Sequence, residues 1–97
     1  MNTRPYDILV VGELNVDLIV SGDVTPEFGQ TEKIVDDIAV CAGSSSAIFA
    51  AAATKLGLRV LFSGRVGDDL FGGFMLQALA DAGVETDHVM RDPDLRT

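Results

Sequence analysis

Two runs of strong helix formers, each stopped by a glycine and set among short apolar runs, decide what this chain can fold into. Ala47-Ile48-Phe49-Ala50-Ala51-Ala52-Ala53-Thr54-Lys55-Leu56 is built of good helix formers and ends at Gly57, a residue suited to the turn that closes a helix. Residues 70–82 place Leu70, Phe74 and Ala78, and beside them Phe71, Met75 and Leu79, at four-residue spacing before Gly83. The apolar runs at about 7–20, 58–63 and 84–90 have the length and composition of strands. Strand alternating with helix predicts an α/β fold, a sheet joined by crossover helices, and the few strands leave that sheet incomplete.

The first apolar run ends in polar groups. Ile8-Leu9-Val10-Val11 reads as a buried strand, but Asn15 and Asp17 stand where a core would take valine, so the strand is expected to bend or break between them. On an extended chain the two side chains share a face. In open parallel sheets ligands bind beyond the carboxyl ends of the strands, so an amide and a carboxylate there are placed to hold substrate hydroxyls. The alternative reading, that Asp17 only begins a turn, stays open on this segment alone.

The middle of the chain is less regular. Residues 21–30 are rich in turn formers and predict a long loop or flap. In Ile34-Val35-Asp36-Asp37-Ile38-Ala39-Val40 each face of a strand would bear an acid, the pattern of an edge or lid strand rather than a central one. Gly43 permits tight backbone, and Ser44, Ser45 and Ser46 surround the start of the first helix, where unpaired N–H groups attract oxygen ligands. One serine suffices as a cap, leaving others to face a ligand. Asp68 or Asp69 is a natural cap for the second helix, a reading preferred to a metal site.

Composition removes several function classes. Fifteen acidic against seven basic residues, a net charge of −8, is the wrong sign for binding nucleic acid or an anionic membrane. No apolar run reaches the roughly 20 residues of a membrane-spanning helix, and residues 1–7 lack a signal-peptide pattern, so a cytoplasmic protein is expected. One cysteine, Cys41, and one histidine, His88, cannot build a nitrogen- or sulfur-ligated metal site or a nucleophilic triad. Cys41 is expected as a small apolar residue and His88 at the surface. Neither a Gly-x-x-x-x-Gly-Lys-Ser/Thr loop nor a Gly-x-Gly-x-x-Gly turn is present. No catalytic residue is therefore assigned within these 97 residues.

Three segments in order carry a family resemblance: Val11-Gly12-Glu13-Leu14-Asn15-Val16-Asp17; Ala42-Gly43-Ser44-Ser45-Ser46-Ala47 leading to Lys55-Leu56-Gly57; and Gly64-Arg65-Val66-Gly67-Asp68-Asp69-Leu70-Phe71-Gly72 leading to Ala82-Gly83-Val84. Together they resemble the first part of the ribokinase-like (PfkB) carbohydrate kinases, over residues 8–89. The resemblance implies a three-layer, Rossmann-like α/β domain with a small β lid, here about 20–41, and all of 1–97 within one domain. It implies transfer of a phosphoryl group from ATP, with magnesium, to a hydroxyl of a sugar, sugar acid or nucleoside. It also implies homodimers formed through the lid. Substrate contacts carry over to Asn15, Asp17, Gly43 and, at the second glycine of the family's turn, Ser44.

Two departures stand out. Where the family places a substrate-binding Asn, this chain has Ile48, or Ala47 if the turn is one residue longer, so Ser45 or Ser46 must supply the contact or the substrate differs. The family's catalytic Asp and ATP-binding segments correspond to positions beyond Thr97. The competing reading is a non-catalytic fragment that binds a ligand or a partner.

Overall fold

The computed structural model describes residues 5–26, 29 and 32–97. Seven elements follow in order: β1 (Ile8–Val11), β2 (Val16–Ser21), β3 (Asp37–Ala42), α1 (Ser45–Lys55), β4 (Val60–Gly67), α2 (Leu70–Asp81) and β5 (Glu85–Asp92). β1, β4 and β5 form a parallel sheet with β4 in the centre, while β2 and β3 form a separate antiparallel ribbon. The expected first strand is thus two strands in two sheets. β1 pairs with β4 from Ile8 opposite Val60 to Val11 opposite Ser63, and residues 12–15 then lead away into the ribbon.

One core holds the body together. Val10, Val60, Phe62 and Val66 alternate along β1 and β4 and meet Ala47, Ala50 and Ala53 of α1 and Met75 and Leu79 of α2. Both helices therefore cover the same face of the sheet, and alanine on α1 lets it lie close to the strands. The opposite face is open: Leu9 and Val11 are 60% and 74% exposed. The described residues supply two of the three layers that the resemblance implies.

Both helices begin and end as their sequences predict. Ser44 caps α1 and Asp69 caps α2 through the Gly72 N–H, while Gly57 and Gly83 take positive φ after the last turns. The inward row of α2 is Gly72, Met75 and Leu79, whereas the expected companion row fails at Leu70, which is 84% exposed. A close approach explains the choice: a Cβ on Gly72 would run into the Gly67 carbonyl, so α2 presses its glycine against the end of β4.

Gly64-Arg65-Val66-Gly67, beyond the expected strand at 58–63, prolongs β4. Pairing with β5 continues to Gly67 opposite Asp92, so the strand ends only where its partner does. β5 likewise runs past the expected limit at Met90.

The ribbon pairs Val16 with Ala42 through Ser21 with Asp37, so the lid strand starts at Asp37 and not at Ile34. None of its residues is fully buried. The expected flap at 21–30 includes positions 27, 28 and 30, which lie outside the described residues, as does 31. Its described part is tied by Asp23, which accepts from the Thr25 N–H and pairs with Lys33 at 3.3 Å. The Thr25 N–H foremost, then Lys33, holds the Asp23 carboxyl below its ordinary pKa. No helix among the described residues is long and apolar enough to cross a membrane.

Candidate functional site

The crossing from body to ribbon and the return from ribbon to α1 run side by side. Asn15 lies in the outgoing link just before β2, so its placement comes from this crossing and not from strand alternation. Its carbonyl accepts the Gly43 N–H at 2.9 Å, and the Glu13 carbonyl accepts the Ser44 hydroxyl at 2.5 Å. Buried Leu14 anchors the link from below. Asp17, the second residue of β2, sits opposite Cys41, two residues before Gly43.

These contacts bring three of the expected residues to one point. A Cβ on Gly43 would lie 2.6 Å from Asp17 Oδ1 and 3.0 Å from the Asn15 carbonyl. Only glycine leaves the carboxylate where it is. Asp17 shares its ribbon face with Ile19, Ala39 and Cys41; Leu18, Val20, Ile38 and Val40 share the other with Val16 and Ala42.

Ser44 is committed to structure. Besides donating to Glu13, its oxygen accepts the Ala47 N–H at 3.4 Å as the cap of α1. Its φ of +72° is a conformation that glycine adopts without cost, as the resemblance to a paired-glycine turn implies. Ser45 is exposed at the first position of α1, and Ser46 rests its hydroxyl against the Gly12 backbone. Ile48 borders a separate apolar cavity of about 260 Å³ together with Ala51, Ala52 and Lys55. Asn15 does not line that cavity. Cys41 is half-buried and His88 exposed.

Asn15 lines a different, polar cavity of about 330 Å³ at the carboxyl ends of β1 and β4. Gly12 and Glu13 form one wall; Arg65 and Arg96 border it from β4 and from the segment after β5. Sequence reasoning missed both arginines, because Arg65 lies between the expected strand and helix and Arg96 lies in an irregular stretch. The 95–97 segment is held there by Asp69: one carboxylate oxygen accepts the Gly72 N–H at 2.7 Å, the other the Thr97 N–H at 2.8 Å. The Thr97 hydroxyl in turn accepts the Gly67 N–H at 2.8 Å. The Thr97 and Gly72 N–H groups, in that order, lower the Asp69 pKa. Asp69 is accordingly a cap and a tether. Among the described residues no three His, Cys, Asp or Glu side chains gather to hold a metal ion.

A carboxylate, an amide-bearing link and a bare glycine beside a polar cavity can hold a polyhydroxylated molecule, with its oxygens donating to Asp17 and its ring close to Gly43. Comparison with known proteins identifies the family. The pfkB family carbohydrate kinase profile matches residues 6–97. The ribokinase of Bacillus subtilis (strain 168) is 36% identical over 83 residues, 86% of this chain and 28% of that protein. The 5-dehydro-2-deoxygluconokinase of Geobacillus thermodenitrificans (strain NG80-2) is 33% identical over 89 residues, 92% of this chain and 25% of that protein. Among solved structures, Arabidopsis thaliana ribokinase complexed with ribose and ATP superimposes with a TM-score of 0.79 at 32% identity, over 91% of this chain and 28% of that one. The chain spans about a quarter of the length of the relatives it matches.

Proposed function

The chain belongs to the pfkB family of carbohydrate kinases and has their ribokinase fold, and from that premise we propose that it is the acceptor-holding part of a kinase that transfers the γ-phosphate of ATP to a hydroxyl of a sugar, sugar acid or nucleoside. Asp17 and Asn15 orient the acceptor, Gly43 admits it against the backbone, Ser44 fixes the turn, and Ser45 stands free at the helix start. The observation that carries this reading is the convergence of the Asp17 carboxylate and the Asn15 carbonyl on Gly43 beside the polar cavity. Residues 20–41, with the ribbon, act as the lid of a single domain.

ATP and magnesium supply the phosphoryl group and its charge neutralisation when bound. The described residues offer neither three gathered acids nor a glycine-rich phosphate loop, so no step of phosphoryl transfer is assigned to them. In this reading the proton of the attacking hydroxyl passes to a carboxylate in the three quarters of the family's length that this chain does not span. The exposed apolar face of the ribbon, turned away from Asp17, pairs with a second lid in a homodimer, and the protein works in the cytoplasm.

The test is ADP release by the full-length protein with a panel of ribose, fructose, gluconate and adenosine. Asp17→Ala should lower kcat/KM for the preferred acceptor by roughly 10²- to 10³-fold, since it removes charge-assisted bonds to the reacting molecule. Unchanged kinetics would take Asp17 out of the site. A folded protein that binds these compounds without releasing ADP would favour the non-catalytic reading.

A further inference from the structure

The polar cavity contains a feature that holding hydroxyls does not require. Among the described residues Arg59, Arg65 and Arg91 each pair with an aspartate: Asp7, Asp92 and Asp68 respectively. Among the described residues no carboxylate lies within ion-pair distance of Arg96, although the chain carries a net charge of −8. Its backbone is pinned on both sides, by the Leu95 N–H bond to the Asp92 carbonyl and by the Thr97 bonds to Asp69 and Gly67. Arg65 faces the same cavity and is held by Asp92 at 3.6 Å, a long pair that leaves donors of its fork available. Glu13 also borders the cavity, but it makes no ion pair with either guanidinium.

A guanidinium fork matches a carboxylate or phosphate with two parallel bonds, a geometry no neutral sugar offers. We propose that Arg96, assisted by Arg65, recognises an anionic group of the acceptor, so that the preferred substrate is a sugar bearing a carboxylate or a phosphate. The inference rests on the kinase reading and adds the substrate class to it. Asn15 connects the two halves of the site, because it borders the arginine-lined cavity and its carbonyl meets Gly43 beside Asp17.

The test measures ADP release by the full-length protein with gluconate, fructose 6-phosphate and fructose, in wild type, Arg96→Ala and Arg96→Lys. Arg96 is exposed, so neither substitution removes core packing, and circular dichroism verifies the fold. The expected result is a preference for gluconate or fructose 6-phosphate over fructose. In Arg96→Ala the anionic-to-neutral ratio of kcat/KM should fall on the order of 10- to 100-fold through the acceptor KM, with partial recovery in Arg96→Lys. Which anion is preferred distinguishes a sugar acid from a sugar phosphate. Turnover of fructose with a ratio indifferent to Arg96, or a change confined to the KM for ATP, overturns this inference and leaves the kinase reading standing. No ADP release with any acceptor overturns both.

Discussion

The sheet-and-helix body and the two-stranded ribbon are both made from largely apolar elements and end up in opposite conditions. In the body Phe62, Met75 and Ala50 have no exposed surface, and every element contributes to one core. In the ribbon Leu18 and Ile38 are each 56% exposed, and no side chain is fully covered. The body is held by its own packing. The ribbon is held by its ladder of backbone bonds, by the crossing at Asn15 and Gly43, and by Val16 packed against the core at its base. The candidate site lies at that crossing, where a well-packed scaffold meets a segment that little packing restrains, an arrangement suited to opening for substrate and closing over it.

The largest expected effect breaks the body alone. Phe62→Ala removes a ring from the middle of β4 that touches both helices' core, and should cost about 3–5 kcal/mol of unfolding free energy in urea denaturation. A loss below about 1 kcal/mol would mean that the core as described does not carry the fold.

The second attacks the crossing. Gly43→Ala puts a methyl group 2.6 Å from Asp17 Oδ1, so the carboxylate or the turn must shift. Overpacking of this kind costs roughly 1–3 kcal/mol. Turnover in the full-length protein should fall further than stability explains, roughly 10²-fold in kcat/KM, because in the proposed reading the displaced group orients the acceptor. Equal losses from a distant destabilising substitution would remove the special role of this glycine.

How far these regions could be read from sequence follows the same division. The helices were legible because their formers, caps and stops are local: Ser44, Asp69, Gly57 and Gly83 do what their positions suggest. Asn15, Asp17 and Gly43 were legible as a group through the resemblance and through a carboxylate set in an apolar run. The split of the first strand was only half visible, since the run through Val20 does not show that β1 pairs with β4 and β2 with β3. The extension of β4 through Arg65 was hidden because Gly64 and Gly67 look like turn residues. Gly64 is instead needed for close approach, as a Cβ there would strike the Gly12 carbonyl. Arg96 owes its place to a tether between Thr97 and Asp69, 28 residues apart, and no local pattern records it.

Acid separates the two regions more gently. Asp69 in the body and Asp23 in the ribbon loop both have lowered pKa values, each through a backbone N–H first: that of Thr97 for Asp69 and that of Thr25 for Asp23. A carboxyl whose folded pKa is depressed stabilises the fold above its unfolded value, about 4, and loses that contribution as pH falls through the folded value. Wild type should therefore converge in stability with Asp69→Asn as pH drops from about 5 to below 3. Asp23→Asn should show little of this in global unfolding, because its bonds lie in a segment outside the core. An equal pH effect at both sites would show that the ribbon loop unfolds together with the body.

The smallest expected effect on stability is also the sharpest probe of the ribbon. Leu18 stands opposite Val40 and Val20 opposite Ile38, so four exposed apolar side chains share the face turned away from Asp17. Replacing Leu18 and Ile38 together by serine removes no buried contact within one chain, and unfolding measured at a concentration where the protein is monomeric should change by less than about 0.5 kcal/mol. If this face pairs with a second lid, the same double substitution should shift the full-length protein from dimer to monomer in sedimentation at micromolar concentration. A large loss of monomer stability would show that the ribbon is packed into the body after all, and the contrast between the two regions would fail. A dimer that persists would place the interface elsewhere and leave the apolar face to be covered by the closing of the lid within one molecule.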